Sequence, residues 1–526
     1  MLERRLFGTE MEYGASWRLE ADSSGRQSEL STYQCGRAIS LYLPGDIQRL
    51  GSYATNGARI YTDHDHPEYA TPEITLPMLE SAEDPSEYDA LVEALAIELG
   101  ADEIVRDMIE SWAAAEKLEV VASVNKRVMS GAKSWGYHSN FMVAREAVGY
   151  YRNEIPAEHR PAFQILGLHL ATANIFLGSG GMYGNNATGR QFVIAQKAMY
   201  LSHDTHLDTV NYKPVINLRD ETFAAKSQYA RLHITSQDAN ISPWASKMKW
   251  GMSALIIGCM EEGIYPEWEF ELREGQLCQL ARHVAMDPSC KLPFELGDGR
   301  RITAIEIQEE LYAAAVRLSQ RHALSRELRW VLQEWRTALD DIQQDPDRLR
   351  DRVDWVSRQR FINGATDSIM KRQQENLANN RPAAVRTRQE WQLANDLSFD
   401  SLTTQAKCIP DWMRSHAWKE HMPPPELIKL RKQESPRNNR SRARALFVER
   451  YHDAEHPLAP TACWDHVILR TNRDSVVVNM RKDPFDPHPP KLELLRRQIE
   501  EPDTLTSEER EELRARDILD TETLST

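Results

Sequence analysis

The chain predicts an α+β fold, on three observations. Segments of period-two alternation carrying charged residues lie before residue 250, and apolar residues at helical spacing dominate after it. A hydrophobic content of 41% in 526 residues, with no low-complexity core segment, suffices for one large core plus a smaller satellite. Strand-like segments concentrated before residue 250 and helical ones after it fit an α+β chain.

The strands come first. In Leu6-Phe7-Gly8-Thr9-Glu10-Met11-Glu12-Tyr13 the alternation of an extended strand sends Glu10 and Glu12 to the same side. Asn56-Gly57-Ala58-Arg59-Ile60-Tyr61-Thr62-Asp63 aligns Arg59, Tyr61 and Asp63 in the same way, and Glu68 follows just after Pro67. Carboxylates pointed together repel unless a proton or a cation lies between them. A cation is the more economical reading when histidines also converge, because hard divalent ions take carboxylate oxygens and leave positions for phosphate and water. The segment from Trp135 to Val143 puts His138 and Asn140 on one face, and Arg231-Leu232-His233-Ile234-Thr235 does the same with Arg231 and His233. Either histidine alone is more commonly a satisfied core residue; the company of Glu10, Glu12 and Glu68 favours ligands. Between these strands, Gly178-Ser179-Gly180-Gly181, with Gly184 and Gly189 nearby, reads as a flexible loop able to approach phosphate through backbone N–H groups, in neither Walker nor Rossmann spacing. Val215 to Leu218 is an apolar strand emptying into Arg219, which suits a bidentate hold on carboxylate or phosphate. The plainer reading of Arg219-Asp220 is a turn with a surface ion pair.

Helices follow. Ile307, Leu311, Ala314, Leu318, Leu328, Val331 and Trp335 recur at helical spacing from Ile305 onward, and Asp354 to Phe361 continues the pattern. Met422-Pro423-Pro424-Pro425 cannot continue a helix, so a domain boundary is expected there. The basic run from Lys429 to Arg444 reads as a solvated helix, with the alternative of attracting an acidic partner. Trp464 to Leu469 reads as a short strand and Lys491 to Glu500 as a helix. The acidic stretch from Glu501 is expected to be mobile or loosely docked, although Thr506 and Glu509 are spaced for a capping box.

Composition excludes several classes. Sixty-four basic against seventy-nine acidic residues give a net charge of −15, which opposes general nucleic-acid binding. The six cysteines form no Cys-x-x-Cys pair, so they are expected to be reduced and mostly structural. The start lacks the apolar run of a signal peptide, and the longest apolar stretch, around Ala254 to Met260, is too short to span a bilayer. A soluble, cytoplasmic protein without membrane contact is expected.

Several motifs then stand in a familiar order: Gly8-Thr9-Glu10-Met11-Glu12-Tyr13-Gly14, Asn56 to Asp63 with His66-Pro67-Glu68-Tyr69, Gly136-Tyr137-His138-Ser139-Asn140, Ile216-Asn217-Leu218-Arg219-Asp220-Glu221, Arg231-Leu232-His233, and Lys482-Asp483-Pro484-Phe485. Through them the chain resembles, nearly from end to end, the Pup ligase and Pup deamidase/depupylase family. These relatives of glutamine synthetase and gamma-glutamyl-cysteine ligase attach or remove a small ubiquitin-like bacterial modifier. The resemblance implies a glutamine synthetase-like antiparallel sheet forming an open cradle backed by helices, in a catalytic domain over residues 1–422. A small C-terminal domain would span 423–500 and an acidic tail 501–526.

Carried over position by position, the resemblance makes Glu10, Glu12, Tyr61, Glu68, His138 and His233 magnesium ligands or their near neighbours. Arg59, Thr71 and Trp464 match positions that contact ATP, and Asp63 matches the catalytic aspartate. Arg219 and Arg231 are candidates to hold the terminal carboxylate of a Pup-like modifier, the implied partner together with pupylated proteins; a monomer or weak dimer is the default. Two activities fit. A ligase joins the modifier's terminal glutamate, through a γ-glutamyl phosphate, to a target lysine deprotonated by Asp63. An amidase uses Asp63 to assist attack on the amide of a terminal glutamine or on an isopeptide. The spacing from Asp63 to His66-Pro67-Glu68 and the segment Trp464 to Ile468 resemble the deamidase form, whereas the short segment from Ala15 to Thr55 is ligase-like; the amidase is favoured. Ser139, Ala230 and Arg442-Ala443-Arg444 depart from the family pattern of Glu, Arg and Arg-Gly-Glu, and are expected to alter the metal geometry and partner contacts.

Two other classes stay open on the residues. Asp63, His64, His66, His138 and His233 are a donor set for a dinuclear zinc hydrolase. A non-catalytic binding protein that retains the cradle is the third.

Overall fold

The computed structural model describes residues 1–19, 52–63, 66–82, 88–115, 118–125, 136–151, 154–185, 189–209, 211–268, 270–372, 381–402, 409–451, 459–470, 475–500 and 502–514. Its organising element is a six-stranded sheet. The strands are β1 (Arg4–Glu12), β2 (Arg59–Asp63), β3 (His66–Ala70), β4 (Ile74–Pro77), β5 (Tyr137–Ala144) and β6 (Tyr229–Ile234). Their spatial order is β6-β5-β1-β3-β2, every pairing is antiparallel, and β4 continues the sheet along the first half of β1. Strands β1, β2, β5 and β6 form where alternation was read, because one face must be buried: Phe7, Phe141, Val143, Leu232 and Ile234 all enter the main core. Strands β3 and β4 were not anticipated; they are fixed by pairing with β1.

Helices cover that face. They include α1 (Ala90–Ala115), α2 (Arg160–Thr172), α3 (Pro243–Glu262), α4 (Ala304–Arg321), α5 (Arg326–Gln344) and α6 (Asp354–Arg372). Helix α3 is buried on every side from Pro243 to Met260, Lys247 and Lys249 included, as befits a central helix. It holds the apolar stretch noted in the sequence, and among the described residues no helix is long and apolar enough to cross a membrane. The helical periodicity from Ile305 to Trp335 resolves into two helices. A capping box of Thr303 and Glu306 starts α4, and Ser325 caps α5 after a short break.

Helices α7 (Pro425–Gln433) and α8 (Arg440–Tyr451) follow the prolines. Helix α7 lies against α1, where Arg431 pairs with Glu93 at 2.5 Å and Lys432 with Glu103 at 2.8 Å. Helix α8 packs its Ala443, Phe447, Val448 and Tyr451 in a separate cluster with a three-stranded sheet of β7 (Ala459–Ala462), β8 (His466–Arg470) and β9 (Ser475–Asn479). Tyr53, far away in sequence, joins this cluster.

Three expectations are overturned here. The basic run is not a solvated helix: Arg431, Arg440 and Arg444 are 4%, 5% and 0% exposed, Arg431 paired with Glu93 and the other two with Glu73. Their charge is spent on joining two parts of the molecule, which no local pattern announces. The stretch after Glu501 is docked through residue 514, because Leu505 and Leu513 are buried in the C-terminal cluster and Arg497 pairs with Glu509 at 2.7 Å. The capping box of Thr506 and Glu509 starts helix Ser507–Arg514 as expected. The glycine-rich segment is no phosphate loop, since Ser179 N–H is donated to Asp238 and Gly180 N–H to the Ile194 carbonyl. A Cβ at Gly178 would lie 2.1 Å from the Ile194 carbonyl oxygen, so the glycine serves close internal packing.

Candidate active site

Cross-strand partners in an antiparallel pair point to the same side, so one position sets the face for its neighbours. Glu10 is opposite His138 on β5 and Ala70 on β3, and Ala70 is opposite Arg59 on β2. Glu68 is opposite both Glu12 and Tyr61, and Asn140 is opposite His233. Register alone therefore gathers Glu10, Glu12, Arg59, Tyr61, Asp63, Glu68, His138, Arg231 and His233 on the sheet face turned away from the helices.

Two potential ligand groups result. Glu10, His138 and His233 form one, and Glu12, Asp63 and Glu68 the other; within each, the ligand atoms lie within 4.8 Å of one another. In the first, His138 Nδ1 stands 3.0 Å from Glu10 Oε2, while Asn140 Nδ2 donates to Glu10 Oε1 at 3.0 Å. His233 Nε2 is 3.7 Å from Glu10, beyond hydrogen-bond reach, and neither of its ring nitrogens has a partner. Burial and the charge of Arg231 hold His233 down to about 3, so its imidazole is neutral and can offer a lone pair. Burial pushes Glu10 up, but the hydrogen bond to His138 and the nearness of His233 hold it well below the usual carboxylate range. In the second group, Tyr61 donates its hydroxyl to Glu68. Burial, with the charge of Glu10, pushes Glu68 well above its ordinary value. A neutral histidine with two orphaned nitrogens and a carboxylate surrounded by like charges are what divalent cations relieve, so the residues fit bound metal.

Glu12 is held by Gly136, whose N–H is donated to Oε2 at 2.6 Å. A Cβ at Gly136 would lie 2.3 Å from Glu12 Oε1 and 3.1 Å from His138 Nε2. Gly136→Ala is therefore expected to weaken divalent-cation affinity about 10- to 100-fold, with the thermal midpoint little changed. Calorimetric titration with magnesium measures it; an unchanged affinity would mean that Glu12 is free to move.

A cavity of about 330 Å³ adjoins Glu10 and is lined by Arg59, Thr71, Arg219, Arg231 and Trp464 among others. The Arg59 guanidinium lies over the Tyr61 ring at 4.6 Å, and its buried Nε has no acceptor. Thr71 Oγ1 accepts from Thr9 N–H at 2.9 Å, which ties the cavity wall to β1. Arg231 and Arg219 both lean on the exposed Glu221, at 3.3 and 3.6 Å. The turn pair expected between Arg219 and Asp220 is not formed; Asp220 pairs instead with Arg145 and accepts the Arg231 backbone N–H.

Sequence reasoning missed Glu73 and Arg440, which line the same cavity. Glu73 accepts from Arg440 at 2.9 Å and from Arg444 at 2.5 Å. Arg444 also donates to the carbonyls of Gly57 and Trp464, and lies 4.8 Å from the centre of the Trp464 ring. The zinc grouping is not assembled among the described residues: His138 and His233 share Glu10, Asp63 belongs to the other group, and His64 lies outside the described residues. Ser139 and Ala230 face the helices, not the ligands: Ser139 is opposite Thr9, and Ala230 is in the main core. Their departure from the family pattern lies on the face away from the candidate ligands.

The fold is that of a Pup ligase. In a crystal structure of the prokaryotic ubiquitin-like protein Pup with its ligase PafA, the ligase superposes with a TM-score of 0.72 over 94% of this chain and 91% of its own, at 22% identity. A structure of PafA in complex with ADP gives 0.64 over 84% and 88%, at 21% identity. The chain belongs to the Pup-ligase family, whose model, described as Pup-ligase protein, matches residues 5–468. Relatives carry two different names. A depupylase of Acidothermus cellulolyticus is 32% identical over 330 residues, 61% of this chain and 58% of that protein. Pup–protein ligases of Acidimicrobium ferrooxidans and Kocuria rhizophila are 25% and 26% identical, over 92% and 95% of this chain and 96% and 99% of theirs.

Proposed function

We propose that this protein is an ATP- and magnesium-dependent amidase of a Pup-like modification pathway, a deamidase and depupylase acting at the C-terminal side chain of the modifier. The observation that carries catalysis at this site, common to the amidase and the ligase, is the placement of Asp63. It ends β2 opposite His66, and its carboxylate meets those of Glu12 and Glu68 at the rim of the cradle. Glu10, Glu12, Glu68, His138 and His233, with Tyr61 bracing Glu68, would hold the cations, and Arg59, Thr71 and Trp464 would hold the nucleotide. Bound magnesium and nucleotide supply electrostatic stabilisation of the charge that develops on the amide oxygen. Asp63 would take a proton from the water that attacks the amide carbon and, as the C–N bond breaks, return it to the leaving ammonia or lysine amine. Arg219 and Arg231 turn from Glu221 to the modifier's terminal carboxylate, exchanging one carboxylate partner for another.

Support for the amidase comes from the depupylase relative at 32% identity; the solved ligase relatives, one with Pup and one with ADP, support the modifier and the nucleotide rather than the choice of activity. A second reading, Pup–protein ligase, is favoured by the relatives that align over nearly the whole chain. There Asp63 would take its proton from the attacking lysine amine instead. Intact-mass spectrometry decides between them. The protein is incubated with magnesium, ATP and a Gln-ended Pup-like protein, and separately with a Glu-ended one plus a lysine acceptor. The expected result is conversion of the first substrate from amide to acid; a conjugate formed only from the second would replace the amidase with the ligase. If neither changes, both readings fail for that modifier.

A further inference from the structure

On the wall of the cavity, the hairpin of β7 and β8 assembles a constellation that the proposed amidase does not use. Ala462 is opposite Val467, and the Cys463 N–H is donated to the His466 carbonyl at 2.9 Å. Trp464 and Asp465 are thus the two residues of the turn, and Cys463 and His466 are a cross-strand pair with side chains on one face. The nearby Cys463 thiol is one of the groups that favour the charged form of the imidazole. His466 Nδ1 lies 2.7 Å from Asp465 Oδ1, and Asp465 is itself anchored by Arg481 and only 3% exposed. This is the chain thiol, imidazole, carboxylate, in which the carboxylate orients the ring and favours its charged form. Cys463 is partly exposed, unlike Cys259, Cys278 and Cys290, which are buried.

We propose that Cys463 is an oxidation-sensitive thiol, activated by His466 and Asp465, through which hydroperoxides modify the wall of the cavity. The cysteine thiolate attacks one peroxide oxygen, the O–O bond breaks, and the hydroxide that leaves takes the proton of the His466 imidazolium. The products are a sulfenic acid, water and neutral imidazole; sulfur is oxidised and peroxide reduced. His466 is pushed up to about 9, first by its hydrogen bond with Asp465, so the imidazolium is the form present at neutral pH. Burial pushes the thiols of Cys259 and Cys278 up to about 12, which makes them poor competitors. Trp464 is the next residue, and its carbonyl is held by Arg444 at 2.9 Å. An oxygen added at Cys463 and the lost imidazolium charge therefore disturb the turn that carries the indole. This consequence for nucleotide binding rests on the proposed role of Trp464; the thiol chemistry does not.

The full-length protein is treated with equimolar hydrogen peroxide in the presence of dimedone, and the adduct is located by peptide mass spectrometry. Cys463 is expected to be labelled first, Cys463→Ser to remove that label, and His466→Gln to slow it on the order of tenfold. Equal labelling of Cys463 and the buried cysteines, or an unchanged rate in His466→Gln, overturns the proposal. ADP affinity is measured before and after oxidation and after reduction with dithiothreitol, with Cys463→Ser as the insensitive control. A reversible loss is expected. Unchanged affinity in the oxidised protein overturns the coupling to the cavity. A protein that binds no ADP before oxidation overturns the nucleotide reading and the coupling with it, while the adduct alone decides the thiol chemistry.

Discussion

Asp63→Asn is expected to lower turnover by about a hundred- to ten-thousandfold, the range of a positioned general base, while ADP affinity stays as it was. The substitution keeps the shape of the side chain and removes its ability to take a proton. Its outcome also separates two uses of one carboxylate. Asp63 stands with Glu12 and Glu68, with ligand atoms within 4.8 Å, so it could complete a cation's oxygen shell instead. If it did, the variant would bind magnesium more weakly, and raising magnesium would restore the rate. If Asp63 is the base, saturating magnesium restores nothing. Steady-state kinetics across a magnesium titration measure both, and a fully active variant would remove Asp63 from the mechanism.

Glu73→Gln is expected to cost about 3–5 kcal/mol of stability. Glu73 is the shared partner of Arg440 and Arg444, which are 5% and 0% exposed. Two guanidinium groups, buried or nearly so, would lose the carboxylate that compensates their charge. The loss is pH-dependent, and the sign follows from the carboxylate. Burial pushes Glu73 up, but the charges of Arg444 and Arg440 more than reverse this and bring it from 4.5 down to about 2. A group depressed on folding stabilises the native state fully above its unfolded value and loses that contribution as pH falls through the folded one. The gap between wild type and variant should thus be complete at neutral pH and close between pH 4.5 and about 2. Urea unfolding at several pH values measures it. A constant gap would mean that Glu73 acts by shape alone. Adding Arg444→Met to the variant should recover part of the loss, because it removes one of the stranded charges.

The two predictions draw on features that were not equally legible. The pairing of Glu10 with Glu12, of Arg59 with Tyr61 and Asp63, and of Arg231 with His233 was readable, since alternation along a strand is set by the backbone of that strand alone. The family motifs added the roles expected of them. The junction at Glu73 was invisible. Its partners lie more than 360 positions away in the chain, and a run of arginines looks the same whether it faces water or a buried carboxylate. The same blindness made Gly136 look like one letter of a motif, when its missing Cβ is what leaves room for Glu12.

The sequence by itself determined the α+β class, the four strands β1, β2, β5 and β6, and the side of each that carries the charged residues, because these depend on periodicities of two and of about 3.6 residues. Only the tertiary structure decided which strands are neighbours, and hence that Glu10 meets His138 and His233 while Asp63 meets Glu12 and Glu68. It also decided that Ser139 and Ala230 turn toward the helices, that Arg440 and Arg444 are buried, and that Cys463 faces His466. The physical reason is common to all of them. Register and burial are set by packing between segments distant in sequence, where the free energy of desolvating a charge or filling a gap depends on what the other segment brings.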